Sequence, residues 1–528
     1  MPYNASERLT SVKKIKARGE YRWRRARVIF MTTADSILNP VSRRWGTLSR
    51  LGSLIPRHAT SCFSVEDPTP LKRARSAHAL IAAATLAFGV TMVHSNQIDS
   101  AAEPLIGQRL TSLFDGPARA RRETIAWITQ NKRTDMAAAL IAVMRYAGAD
   151  RGAIAGALET LTGESHGDDW FKWMLWQQAH PEIEPVAGFD AFKAAILSRI
   201  DTNFRDFLYA GVDHEIRLEE IVWGGVIKDG IAALTNPALV TADEADYLGD
   251  NEPVFGIVIN GDERAYPYRI MDWHEMFNDV IGGVPVSLAY CTLCGSGILF
   301  ETEVEGYAAP FIFGSSGFLY RSNKLMYDQQ THSLWNQFTG RPVVGELTGS
   351  GVELKIRPVV TATWGEWKAR HPDTRVLSLD TGYRRDYEPG RPYGEYFASP
   401  HLMFPALTDD RRLAAKDRVF GLRVAGANKA WPLALFEGGR VINDRVGVLD
   451  IVLIGDARSG SVRAYRAGGY EFETLAGDNI RLVANGREWR VEEASLVASN
   501  GERLSRLPGH LAYWFAWSSY LAGAELGE

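Results

Sequence analysis

The sequence predicts an α+β fold: a helical N-terminal region followed by a β-rich domain built from two internal repeats. Three observations predict it. Apolar residues recur at helical spacing up to about residue 215. Beyond that the pattern changes to short β runs punctuated by glycine and asparagine. A motif series in the β-rich part then recurs in one gapless register.

The first 102 residues read as a basic N-terminal segment, with Arg22, Arg24, Arg25 and Arg27 close together and Arg73 and Arg75 just before an apolar stretch at 79–93. Basic flank, apolar run and the small residues Ser100, Ala101 and Ala102 form a signal-peptide-like pattern. Its place seventy residues in leads to two expectations. Either the true start lies downstream, with Leu71 a candidate non-AUG start, or the stretch is a signal anchor with a basic tail. A buried helix is the plain alternative. The expected location is extracytoplasmic, periplasmic or secreted, with membrane anchoring through 79–93.

Residues 103–215 form the helical region. Met136 to Met144 is rich in strong helix formers, and Gly148 and Gly152 punctuate it. Trp170, Trp173 and Trp176 fall near one helical face, as a packing stripe. His180-Pro181 stops that helix, and Ala191 to Leu208 reads as another.

Strands follow. Val254 to Ile259 is a β run, Asn260-Gly261 is the two-residue hairpin signal, and Arg264 to Pro267 returns. Pro285 to Tyr290 is a strand ending at cysteines. The first repeat is placed at 216–410 and a degenerate second one at 411–528. Val254-Phe255-Gly256 recurs as Val419-Phe420-Gly421, Asn278-Asp279 as Asn443-Asp444, and Gly295-Ser296 as Gly460-Ser461. After a length change, Trp364 and Trp367 match Trp514 and Trp517. Three positions break the match together: Cys291 faces Asp456, Cys294 faces Ser459, and His274 faces Gly439.

Those three residues carry the expected chemistry. The chain has only 3 cysteines, so it is no disulfide-stapled scaffold. Cys291-Thr292-Leu293-Cys294-Gly295 can turn two sulfurs toward one ion, with glycine letting backbone N–H groups face them. With no second Cys-x-x-Cys, a four-cysteine structural zinc site within the chain is excluded. His274 completes a His/Cys/Cys set suited to copper or zinc, with His332 as a further ligand candidate. Asp328 and Glu275 are the candidate catalytic carboxylates, Asp328 to orient a ligand or polarise a water. The leading expectation is soft-metal binding with metal-dependent oxidoreductase chemistry. The alternatives are a dithiol–disulfide redox protein using Cys291 and Cys294, and a non-catalytic binding module. A formal charge of -4 and the lack of a basic stripe after residue 105 exclude nucleic acid, leaving a small molecule or metal as partner. No phosphate loop and no Gly-x-Ser-x-Gly elbow is present.

Taken together, Trp223-Gly224-Gly225-Val226, Asp229-Gly230-Ile231, Trp273-His274-Glu275, Tyr290-Cys291-Thr292-Leu293-Cys294-Gly295, Met326-Tyr327-Asp328, Ser333-Leu334-Trp335 and Arg385-Asp386-Tyr387 with Pro392-Tyr393 resemble the bacterial family called domain of unknown function 3179, over roughly 215–525. The resemblance implies bacterial or archaeal origin and often export, but no particular reaction. It carries the family's Cys-x-x-Cys to Cys291 and Cys294 and its Trp-His-Glu to His274. Two departures stand out: Thr292 and Ala232 occupy positions where the family usually has proline.

Overall fold

A computed structural model describes residues 99–528 except 425, 476–477 and 522. The 79–93 stretch and Cys62 lie outside the described residues. Among the described residues no helix is long and apolar enough to cross a membrane.

The chain is mixed α+β. Helices Asp99–Asp115, Ala118–Gln130, Ala137–Met144, Arg151–Thr162, Trp170–Ala179 and Phe189–Leu197 come first. Asp169 starts the fifth by accepting from the Phe171 and Lys172 amides, which satisfies two of its free N–H groups. Trp173 and Trp176 are buried, as the spacing predicts for a packing stripe. The following helix is shorter than the sequence pattern indicates: it ends at Leu197, and a 3-10 turn at Thr202–Asp206 takes over. Asp201 caps that turn through the Asn203 amide, which competes with continuing the α-helix.

The hairpin at Asn260-Gly261 forms as expected, with φ of 51° and 83° at the two turn residues. Strand Pro253–Ile259 pairs with Asp262–Pro267 on one side and with Val360–Thr363 on the other. Arg375–Leu377 joins in parallel, Val376 opposite Ala265. Later in the chain Arg418–Val424 pairs with Ala427–Pro432 and with His510–Tyr513, and Glu525–Leu526 joins in parallel, Leu526 opposite Ala430.

A second sheet runs through Met276–Ile281, Val284–Cys291 and Ser296–Glu301, closed by Ile356–Arg357 with Arg357 opposite Leu299. A later sheet runs through Arg440–Val446, Leu449–Asp456 and Ser461–Arg466, with Arg503–Leu507 pairing next, Leu507 opposite Ala464. Asn278 clasps Phe313 by donating to its carbonyl and accepting from its amide, both at 2.9 Å. Asn443 treats Phe472 the same way, at 2.9 and 2.8 Å.

The two regions differ in what they insert. After the first comes a sheet containing Phe313–Tyr320, Asn323–Asp328, Leu334–Asn336 and Arg341–Val344, onto which Ile221–Trp223 pairs. The Phe313-Gly314-Ser315-Ser316-Gly317 run is part of this sheet and is wholly buried. The second region extends its own sheet with Asp478–Ala484, Arg487–Val491 and Ser495–Ala498. A buried ion cluster ties the regions together. Glu493 is held by Arg463 at 2.6 Å and by Arg506, with Arg370 and His371 of the first region each at 3.6 Å. Burial would push its carboxyl up, but Arg463 and Arg506 override this and hold it well below the usual carboxylate range.

Candidate functional site

The knuckle forms where a tight turn joins two central strands. Cys291 and Ser296 are the last pair of the hairpin. The Cys294 amide donates back to the Cys291 carbonyl at 3.1 Å, and Gly295 takes φ of 59° to let the chain reverse. Both cysteines are free and buried, at 2% and 0% exposure. The far end of the second region and the short helix Gly394–Ala398 cover them: the Tyr513 amide donates to the Cys294 carbonyl at 2.7 Å, and Tyr396 donates to the Leu293 carbonyl at 2.6 Å.

The sulfurs sit in a polar shell from the hairpin turn after Phe313–Tyr320. Arg321 and Ser322 both have positive φ, at 47° and 62°. This turn delivers Ser322, Asn323 and Lys324, all buried, to the knuckle. Asn323 Nδ2 donates to Cys294 Sγ at 3.2 Å and to Gln337 Oε1 at 2.8 Å. Gln337 in turn donates to the Ala289 and Ser296 carbonyls, which fixes the orientation of both amides. Cys294 Sγ lies 3.5 Å from the Ser322 carbonyl.

The two thiols differ in acidity. Burial and the Glu275 carboxylate push the Cys291 thiol up, but the Cys294 S–H, the Lys324 backbone N–H and the Lys324 ammonium outweigh them, and the net shift is downward. Burial and the neighbouring Cys291 push Cys294 well above the ordinary thiol range. Lys324 Nζ lies 2.6 Å from Glu275 Oε2. Glu275 Oε1 accepts from Thr292 Oγ1 and from the Tyr393 hydroxyl, each at 3.0 Å. Thr292 thus supplies Glu275 with a donor that proline could not. Beside them, burial pushes the Asp272 carboxyl up to about 8, and it accepts from Tyr290 at 3.2 Å.

His274 ends the helix Tyr268–His274, which Glu275 terminates at φ of 54°. Its ring nitrogens are both engaged. Nδ1 lies 2.8 Å from the Ala232 carbonyl, an obligate acceptor, so Nδ1 carries the proton. Nε2 then accepts from the Tyr387 hydroxyl at 2.6 Å, and Tyr387 in turn is 2.6 Å from Thr381 Oγ1. Burial lowers the His274 pKa and keeps the ring neutral near pH 7. Ala232, the second departure, contributes only its carbonyl, which proline would also have.

Asp328 and His332 lie on a turn at the opposite end of the strand Asn323–Asp328. Asp328 is consumed by structure, accepting from the Thr331 amide and hydroxyl and from Trp335 Nε1. His332 sits at φ of 57°, half-buried, with its ring near Phe207 and Tyr327. Among the described residues no group of three or more His, Cys, Asp and Glu side chains is placed to hold a metal ion.

Of the sequence candidates, the fold gathers Cys291, Cys294 and Glu275, turns His274 to a tyrosine, and sets Asp328 and His332 apart. Lys324, Asn323 and Gln337 went unrecognised as site residues. Lys324 precedes the motif Met326-Tyr327-Asp328, and Gln337 follows Trp335, but nothing in their spacing marks them as neighbours of the knuckle.

Fold and site define an α+β protein with a buried, free Cys-x-x-Cys pair in a shell of amide, ammonium and phenol groups. The profile of the family described as "Protein of unknown function (DUF3179)" matches residues 228–523, more than half of the chain, and the chain belongs to that family. No curated protein and no solved structure matches it significantly.

Proposed function

We propose that the protein is a dithiol–disulfide redox protein in which Cys291 attacks and Cys294 resolves. The observation that carries this reading is the geometry of the knuckle: two free, buried cysteines on one tight turn, with the Cys294 amide bonded back to the Cys291 carbonyl and Asn323 Nδ2 donating to Cys294 Sγ at 3.2 Å. A thiolate beside a protonated thiol is what stepwise disulfide formation needs. Cys291 adds to a small oxidant, and Cys294 then closes the S–S bond. Overall the pair gives up two electrons to the oxidant, and the Cys294 proton leaves with them. Both sulfurs are buried, which restricts the electron partner to small molecules unless the Tyr513 and Tyr396 cover opens. Export to an oxidising compartment suits such a pair.

The reading also holds that 250–377 and 416–526 are two copies of one unit. Equal strand registers and the paired Asn278 and Asn443 clasps support this. In the second copy Asp456 and Ser459 stand at the cysteine positions, so the frame does not require thiols.

The test is equilibration of the anaerobically purified full chain in dithiothreitol buffers of stepped redox poise, followed by alkylation and mass spectrometry. One reversible disulfide between Cys291 and Cys294, absent in Cys291→Ser, is expected. A pair that stays reduced at every poise, or one that retains stoichiometric copper or zinc and cannot be oxidised, would overturn the reading.

A further inference from the structure

A second site lies away from the knuckle, where the helical region meets the strand Ile221–Trp223. There a small pocket, partly open to solvent, is lined by Lys193, Arg145, Trp170, Met174 and Trp223, among others. Lys193 is buried, with 6% exposure, on the helix Phe189–Leu197. Its amine donates to the Glu219 backbone carbonyl at 3.1 Å, and among the described residues no carboxylate forms an ion pair with it. The two nearest acids are occupied elsewhere. Glu219 pairs with Arg217 at 2.6 Å, and Glu220 pairs with Arg217 and Arg321 at 2.8 and 2.6 Å. A lysine stem usually carries its ammonium out to water or into an ion pair. Here it does neither.

Arg145 supplies the second chemical handle. One of its guanidinium nitrogens donates to the Trp223 carbonyl at 2.7 Å, and its face lies over Trp170 and Trp223 at 5.0 and 5.5 Å. It too has no carboxylate partner among the described residues. Arg145, Trp170 and Trp223 are half-buried, so the cavity opens between them, while Lys193, Met174 and Ile196 form its buried part.

We infer that this cavity binds a small 2-oxo acid, whose carbonyl carbon is attacked by Lys193 Nζ and whose carboxylate pairs with Arg145. The nitrogen lone pair forms the new C–N bond. The carbonyl oxygen leaves as water with the two protons of the neutral amine, giving an imine with no change in oxidation state. Burial, opposed by Glu219 and Glu220, brings the Lys193 pKa down to about 7, so a large share of the amine is unprotonated at neutral pH. The partly closed space limits the substrate to a few heavy atoms.

The experiment traps the imine on the full-length chain with pyruvate and sodium cyanoborohydride at neutral pH, and locates the adduct by peptide mapping. One adduct per chain at Lys193 is expected, absent in Lys193→Met. In Arg145→Gln the pyruvate concentration for half-trapping should rise about tenfold or more, while trapping of propanal, which has no carboxylate, should be unchanged. A readout on the unmodified protein guards against variants that fail to fold. The rate of Lys193 acetylation against pH should have its midpoint near 7, and pyruvate should slow it. Adducts spread over surface lysines, equal trapping in Lys193→Met, or an acetylation midpoint near that of ordinary lysines would each overturn the inference.

Discussion

The two β regions have hairpins of equal register and differ at one turn. In both, a strand glycine makes room for an indole: a Cβ at Gly256 would run into Trp367, and one at Gly421 would run into Trp517. Both place an Asp after the clasping Asn, and that Asp accepts from an aromatic side chain of the hairpin. Tyr266 donates to Asp279 at 2.7 Å, and Trp431 donates to Asp444 at 2.8 Å. At the knuckle the first region has two thiols in a buried polar shell. The second has the half-buried Asp456, which accepts from the Arg458 amide at 2.7 Å, and a buried Ser459. After its hairpin the first region has the helix Tyr268–His274, and the second has a 3-10 turn at Leu433–Phe436. What recurs is packing and turn geometry, and what does not recur is chemistry. On the proposed reading of two copies of one unit, the thiols would serve something other than holding the strands together.

The sharpest way to break the comparison is at the shared indole seats. Gly256→Ala and Gly421→Ala should each destabilise by about 3 kcal/mol, because a central strand and a buried ring must move apart. Urea unfolding checks this, and a variant tolerated in one region alone would show that the frames are not equivalent.

The partners of those glycines differ: Val360 lies opposite Gly256, and His510 opposite Gly421. Burial lowers the His510 pKa to about 4. The folded value lies below the unfolded one of about 6.5. The neutral ring therefore stabilises the fold fully above pH 6.5, and this contribution is lost as pH falls toward 4. About 3 kcal/mol is at stake over that window. Stability curves at stepped pH should lose this acid sensitivity in His510→Val, and an unchanged pH dependence would remove His510 as its source.

A smaller contrast is expected at the clasps. Asn278→Ala strands a buried amide and carbonyl of Phe313 and should cost about 2 kcal/mol, whereas Asn443, which is exposed, should cost under about 1 kcal/mol in the same substitution. Equal costs would mean that burial is not what separates the two clasps. The smallest stability effect belongs to the knuckles. Cys291→Ser should change stability by only about 1 kcal/mol, and Asp456→Ser by about 0.5 kcal/mol, yet only the first should abolish reversible thiol oxidation. A large loss of stability in Cys291→Ser would instead give the thiols a structural role.

Local signals carried well from sequence to fold. The Asn260-Gly261 turn, the Trp173 and Trp176 stripe, and the strand leading to Cys291 all form, because each depends on neighbours within a few residues. The site was legible only in part. Cys291 and Cys294 are three apart and share one turn, so their meeting needs nothing distant. Glu275 and Lys324 meet across 49 positions, through a turn at Arg321 and Ser322 whose reach no periodicity encodes.

The sequence by itself determined an α+β chain and a thiol pair held within one short run, Cys291 to Cys294. Only the tertiary structure decided what surrounds that pair. It turned His274 to Tyr387 and Ala232, used up Asp328 in a turn, and set an acid–ammonium pair beside the sulfurs. The physical reason is that acidity and ligand geometry depend on burial and on donors from distant strands, and those depend on register and packing rather than on the local order of residues.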